Sequence, residues 1–185
     1  VGATLLVIGA GQVGAQIGKV AKAFGLRVLA LVNHKDPGRA VALSADAVYG
    51  PSELHQALGQ ADYVVLALPH TPQTERLIDA RAFAAMKPGV ALINIARGSV
   101  VDQDALVAAL QAKHIANAFL DVTTPEPLPA DHVLWTLDNA HVTMHLSGRA
   151  QDKMFVRAAT RFFENLERYR KGAALAPMVN LDLGY

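Results

Sequence analysis

Apolar residues along the chain fall into short blocks separated by stretches with helical spacing. Thr4–Ile8 is a compact apolar run of strand length. After it, Val13, Ile17, Val20, Ala21 and Phe24 recur at steps of about three and four, which predicts a helix over Gln12–Phe24 ended by Gly25. The same reading predicts strands at Arg27–Val32, Ala47–Tyr49, Tyr63–Leu68, Val90–Ile95, Ile115–Leu120 and Ala140–Thr143. Helices are expected from Pro51-Ser52 with Ser52 as N-cap, from Asp79 to about Met86, and from Asp102 or Asp104 to Lys113. A long amphipathic helix is expected over Ala150–Tyr169, with Met154, Phe155, Ala158, Phe162 and Leu166 on one side. Pro125, Pro127 and Pro129 make Thr123–Ala130 a loop, because proline has no N–H for a helix or a sheet ladder.

Strands alternating with helices imply an α/β fold: a doubly wound parallel sheet covered on both faces, in three αβα layers. The expected organisation is one domain over residues 1–171, then a weakly periodic arm over 172–185. The chain enters its first strand almost at once from Val1, without a methionine, and reads as a piece of a longer polypeptide.

Composition narrows the function classes. Of 185 residues, 52% are hydrophobic and 18% charged, which suits a packed core rather than disorder. Seventeen basic and sixteen acidic residues leave a formal charge of +1, so nucleic acid is a poor default partner. No cysteine is present, which excludes disulfides, thiolate metal sites and a cysteine nucleophile. No apolar run approaches the ~18 residues of a membrane span. The default is a cytoplasmic enzyme with no metal, no membrane and no nucleic-acid partner.

The segment Gly9-Ala10-Gly11-Gln12-Val13-Gly14 follows the first strand and opens the first helix. That context turns a weak G-x-G-x-x-G pattern into a dinucleotide-binding expectation of the Rossmann type. Gly9 permits the turn, Gly11 lets the backbone approach a pyrophosphate, and Gly14 lets the helix pack closely on the sheet. The N–H groups of the helix start, at Gln12 and Val13, suit an anion. At the end of the second strand an acid would bond the adenosine ribose, yet Val32 is followed by Asn33, His34 and Lys35, and Asp36 comes too late. This favours NADP over NAD.

Five further segments resemble one family in colinear order. They are Leu68-Pro69-His70-Thr71-Pro72-Gln73-Thr74, Met86-Lys87-Pro88-Gly89, Leu92 to Asp102 (with Ile95-Ala96-Arg97-Gly98), Leu120 to Leu128 (with Asp121-Val122 and Glu126-Pro127), and Asn139 to Gly148 (with His145 and Ser147-Gly148). Together they resemble the D-isomer-specific 2-hydroxyacid dehydrogenases, nearest to the glyoxylate/hydroxypyruvate reductase branch. Two departures stand out: Thr123 where an aromatic is usual, and Met144 where a proline is usual.

The resemblance implies hydride transfer between a nicotinamide and a small 2-oxo or 2-hydroxy acid. It implies Arg97 as the carboxylate grip, His145 as general acid/base and Glu126 as its partner. A planar guanidinium suits a carboxylate, and imidazole titrates near neutrality. The resemblance also places Asp121 against the nicotinamide carboxamide. Leu68, Pro69, Thr74, Ile95, Ala96 and Ser147 would complete the cofactor cleft, and a homodimer is expected. His141 competes with His145, since four residues apart on a strand they would share a face. His55, His114 and His132 are expected on solvated surfaces. The competing function class is a dinucleotide-binding module without catalysis, acting as a sensor or assembly domain.

Overall fold

The computed structural model describes residues 2–34, 44–148 and 153–181. Contacts divide the chain into two units, Val1–His145 and Leu146–Tyr185. The first unit carries β1 (Thr4–Ile8), α1 (Gln12–Ala23), β2 (Arg27–Leu31), β3 (Ala47–Tyr49), α2 (Leu54–Leu58), β4 (Tyr63–Leu66), α3 (Ala80–Ala85), β5 (Val90–Asn94), α4 (Gln103–Gln111), β6 (Ile115–Leu120) and β7 (Ala140–Val142). The second unit carries α5 (Met154–Arg170).

Among the described residues the sheet has seven strands in the order β3-β2-β1-β4-β5-β6-β7. Every pairing is parallel. The first six strands follow the doubly wound Rossmann order, and β7 extends it at one edge. The expected fold class is what forms. β1 shows why its sequence is an unbroken apolar run. Leu6 and Ile8 enter a core with Leu54, Leu58, Phe83, Leu106 and Leu110, from α2, α3 and α4. Leu5 and Val7 enter a second core with Ile17 and Ala21 of α1. Both faces are buried, so no residue of this strand needs to be polar.

The chain turns from α1 into β2 at the amino end of the sheet. α1 closes with Gly25 at φ 77°, and the Leu26 N–H donates to Ala21 O at 3.1 Å while the Gly25 N–H donates to Lys22 O at 2.9 Å. These two bonds satisfy the last carbonyls of the helix in a Schellman turn. Asp79 caps α3 through the Ala82 N–H at 2.8 Å, and Asp102, not Asp104, caps α4 through the Ala105 N–H at 3.2 Å.

Two local expectations change. Ser52 is not a cap: Pro51–Glu53 forms a 3-10 turn whose cap is Gly50, with the Gly50 N–H donating to Glu53 Oε2 at 2.7 Å. Ser52 lies inside that turn, and the charged Glu53 carboxylate reaches back to the cap. Strand ends also stop early. β4 ends at Leu66 and β5 at Asn94, because the apolar residues beyond them leave the ladder to build loops at the carboxyl rim.

Candidate functional site

The glycine loop has three distinct jobs. Gly9 sits at φ 106°, and a Cβ there would lie 2.3 Å from Ala67 O at the end of β4. A Cβ on Gly14 would lie 2.0 Å from Gly9 O. These two positions are closed by the protein itself. A Cβ on Gly11 would meet nothing within 4 Å. Gly11 is the N-cap of α1, without a side-chain cap and with no acid in the first turn. Open space beside uncapped N–H groups at the start of a twelve-residue helix is what a pyrophosphate needs, so the loop fits a dinucleotide. Gln12 and Val13 are exposed there.

At the end of β2, Val32 is buried and its N–H donates to Tyr49 O at 3.0 Å. Asn33 and His34 follow, both exposed. Lys35, the third residue of the nucleotide-preference reading, lies outside the described residues.

Opposite β1, the loop after β4 is tied from within. The Thr74 hydroxyl donates to Pro69 O at 2.8 Å and accepts from the Thr71 N–H at 2.8 Å. Thr74 is buried, Leu68 is half-buried and Pro69 is exposed. After β5, Asn94 does similar work. It is 1% exposed. Its Oδ1 accepts from the Ala96 N–H at 3.0 Å and its Nδ2 donates to Arg97 O at 3.1 Å. One side-chain amide therefore shapes the turn Ile95-Ala96-Arg97. The Arg97 side chain is exposed, with Nη1 donating to Ala96 O at 2.6 Å.

Gly98 then joins two loops. Its Cβ would lie 2.0 Å from Thr123 O and 2.5 Å from Thr124 Oγ1. Only hydrogen fits, so the Arg97 turn rests directly on the start of the Glu126 loop. Thr123 is buried, and its hydroxyl donates to Pro125 O at 2.9 Å. That bond explains how the loop accommodates threonine where the family resemblance leads one to expect an aromatic.

His145 and Glu126 meet: Nδ1 lies 2.6 Å from Oε1. The two side chains are 44% and 40% exposed. Asp121 links them to the sheet. Its N–H donates to Asn94 O at 3.0 Å, its carbonyl accepts the His145 N–H at 2.9 Å, and its Oδ1 accepts the Thr143 hydroxyl at 2.6 Å. His145 takes φ 53°, a left-handed conformation that costs a non-glycine residue about 1–3 kcal/mol. Ser147 falls in the second unit.

The remaining histidines separate cleanly. β7 ends at Val142, so His141 and His145 do not share a strand face. His141 stacks on Phe119 with centroids 4.6 Å apart and its Nε2 lies 3.2 Å from Asn117 Oδ1. His114 and His132 are not simply solvated. His114 Nε2 lies 2.9 Å from Phe83 O, and His132 accepts from the Leu134 N–H at 3.2 Å as the cap of a short turn. Sequence reasoning missed Asn94 and Gln103. Asn94 could have been found from its place at a strand end before Arg97. Gln103 carries no such signal.

Comparison with known proteins gives a consistent picture. Residues 1–147 match the profile described as D-isomer specific 2-hydroxyacid dehydrogenase, NAD binding domain. A D-3-phosphoglycerate dehydrogenase of Mycobacterium leprae is 36% identical over 186 residues, covering 99% of this chain and 34% of the relative. A D-isomer specific 2-hydroxyacid dehydrogenase from Xanthobacter autotrophicus, solved with NADPH and MES, superposes with TM-score 0.89 at 34% identity, covering 99% of this chain and 73% of that one. An NADPH-dependent glyoxylate/hydroxypyruvate reductase from Sinorhizobium meliloti, solved with NADP and sulfate, superposes with TM-score 0.87 at 25% identity, covering 99% and 57%. The chain spans 24% to 58% of the length of the first curated relatives. No helix among the described residues is long and apolar enough to cross a membrane. No metal-holding group of three or more His, Asp or Glu occurs among them.

Proposed function

This chain belongs to the D-isomer specific 2-hydroxyacid dehydrogenases through their NAD-binding domain, and from that premise we propose that it is the dinucleotide-binding part of an oxidoreductase acting on a small 2-oxo or 2-hydroxy acid. The observation that carries the proposal is the 2.6 Å contact of Glu126 with His145, on the loops after β6 and β7 at the carboxyl rim of the sheet, the same rim that carries the glycine loop after β1. When bound, a nicotinamide supplies or accepts the hydride.

The chain's own groups do the rest. The Gly11 backbone and the α1 N-terminus hold the pyrophosphate. Asn33, His34 and Lys35 make the adenosine end suit NADP, and the NADPH and NADP in the two solved neighbours support that preference. Leu68, Pro69, Thr74, Ile95 and Ala96 wall the cleft. Asp121 would hold the carboxamide of the nicotinamide. The Arg97 guanidinium swings from Ala96 O onto the substrate carboxylate and polarises the neighbouring carbonyl. His145 moves the proton at the substrate oxygen through Nε2, and Glu126 on Nδ1 fixes the tautomer that makes this possible. The reading includes a homodimer in the cytoplasm.

Glyoxylate or hydroxypyruvate is the substrate type we favour. A 3-phosphoglycerate-type substrate is the second reading, supported by the names of several curated relatives. Steady-state kinetics of the complete polypeptide with each acid, against NADPH and NADH, test both. Dinucleotide binding without turnover of any 2-oxo or 2-hydroxy acid would instead favour a non-catalytic module.

A further inference from the structure

We propose that Gln103 is a positioning residue that sets the Glu126 loop and, through it, the tautomer of His145. The inference rests on the reading of His145 and Glu126 given above.

The argument starts from what the loop lacks. Pro125, Pro127 and Pro129 remove three N–H donors from Thr123–Ala130, so the loop has few bonds with which to hold itself. Nor can the His145–Glu126 pair hold it, because both side chains are about two-fifths exposed and exposed ion pairs are weak. An anchor must come from outside the loop.

Gln103 supplies it. Nε2 donates to Thr124 O at 2.6 Å and Oε1 accepts from the Thr124 N–H at 2.9 Å. Two bonds from one planar amide fix both the position and the plane of the Thr124 backbone, where a single bond would leave it free to rotate. Glu126 is two residues downstream.

The clamp is mounted on a fixed base. Gln103 is the first residue of α4, whose cap Asp102 accepts the Ala105 N–H and pairs with Arg76. The Asp102 N–H donates to Ile78 O at 3.0 Å. Gly98, five residues earlier, presses against Thr123 and Thr124. The 98–103 segment thus touches the loop at its backbone in two places, and its influence on Glu126 passes through Thr124.

The test uses the complete polypeptide and one readout that needs no turnover. In the wild type, 15N NMR of the His145 ring at a pH where it is neutral should show one tautomer with the proton on Nδ1, because the partner of one ring nitrogen decides where the proton sits. Gln103→Ala should give a mixture. It should also lower kcat by about tenfold, since small misplacements of reacting groups are costly. NADPH Kd should stay within about twofold, because dinucleotide contacts lie elsewhere. In a Glu126→Gln background the same change should cost less than about twofold, since a residue acting through Glu126 has nothing left to act on. Gln103→Glu keeps the acceptor and loses the donor, should fall between, and serves if the alanine variant does not fold. An unchanged His145 tautomer in the variants overturns the proposal, and so does a loss of kcat that is equal in both backgrounds. A wild type that turns over no 2-oxo acid, but whose single His145 tautomer becomes a mixture in Gln103→Ala, supports the clamp and overturns the proposed function instead.

Discussion

Glu126 Oε1 lies 2.6 Å from His145 Nδ1, although the two residues are nineteen apart and arrive from different strands. Nδ1 is engaged, which leaves Nε2 as the nitrogen able to serve a substrate. His145→Ala should lower kcat for 2-oxo acid reduction by about 10²–10⁴-fold, the usual range for a general acid. Glu126→Gln should fall between the two, and NADPH Kd should barely move in either. Steady-state kinetics beside a binding titration checks this; full activity in His145→Ala would remove the assignment.

The three glycines of the first loop predict opposite outcomes for one substitution. Gly9→Ala and Gly14→Ala place a Cβ against backbone carbonyls at 2.3 and 2.0 Å, so both should lower the melting temperature. Gly11 has φ −72°, which alanine accepts, and nothing stands within 4 Å. Gly11→Ala should therefore fold as well as the wild type, or gain up to about 1 kcal/mol by restricting the unfolded chain. Its NADPH affinity should drop at least tenfold, because the methyl occupies the approach to the pyrophosphate. Undiminished binding in that variant would mean the dinucleotide lies elsewhere.

Gly98→Ala should push the Arg97 turn off the Thr123 carbonyl, which would sit 2.0 Å from the new methyl. Backbone must move in both loops. The expected result is a rise in KM for the 2-oxo acid together with a fall in kcat, as Arg97 and Glu126 are displaced together. Unchanged kinetics would show that the two loops adjust independently.

Acid should weaken the fold through two carboxylates at the amino ends of the strands. The Lys87 ammonium, then the Thr4 N–H, hold the Asp62 carboxyl below its usual value of 3.8. The Lys22 ammonium, then the Val28 N–H, do the same for Asp46. A lowered folded-state value means the unfolded chain binds the proton first. Stability from these groups is full above about pH 4 and is lost as pH falls through the folded-state values. Urea titrations at pH 6 and pH 3 should show Asp62→Asn weaker than the wild type at pH 6, with the gap narrowing at pH 3. A constant gap would contradict the linkage.

Much of the sheet is legible in the sequence because strands buried on both faces are apolar along most of their length, as Leu5 to Ile8 and Val90 to Ile93 are. The same property blurs their ends. Leu68 and Ile95 are as apolar as the strands before them, yet they build the rim. His145 and Glu126 were found by motif, and no periodicity would have paired them. Asn94 and Gln103 act on backbone atoms, and in the case of Gln103 on a peptide twenty-one residues away. Any loop of suitable shape presents such a peptide, so the sequence around Thr124 gives no hint of its partner. Ser52 misled because local composition favours a hydroxyl cap, whereas the turn starts two residues earlier, at Gly50, whose N–H the Glu53 carboxylate accepts.

A sheet whose strands all run one way has two unlike ends. At one, Asp62 and Asp46 fasten the beginnings of β1 and β2 to lysines, and Gly25 and Gly89 turn in open space. At the other stand the glycine loop, Arg97, Glu126 and His145. Endurance and reactivity therefore occupy separate poles of the molecule. Selection, or an engineer, can harden the first against acid and heat while leaving the second free to vary.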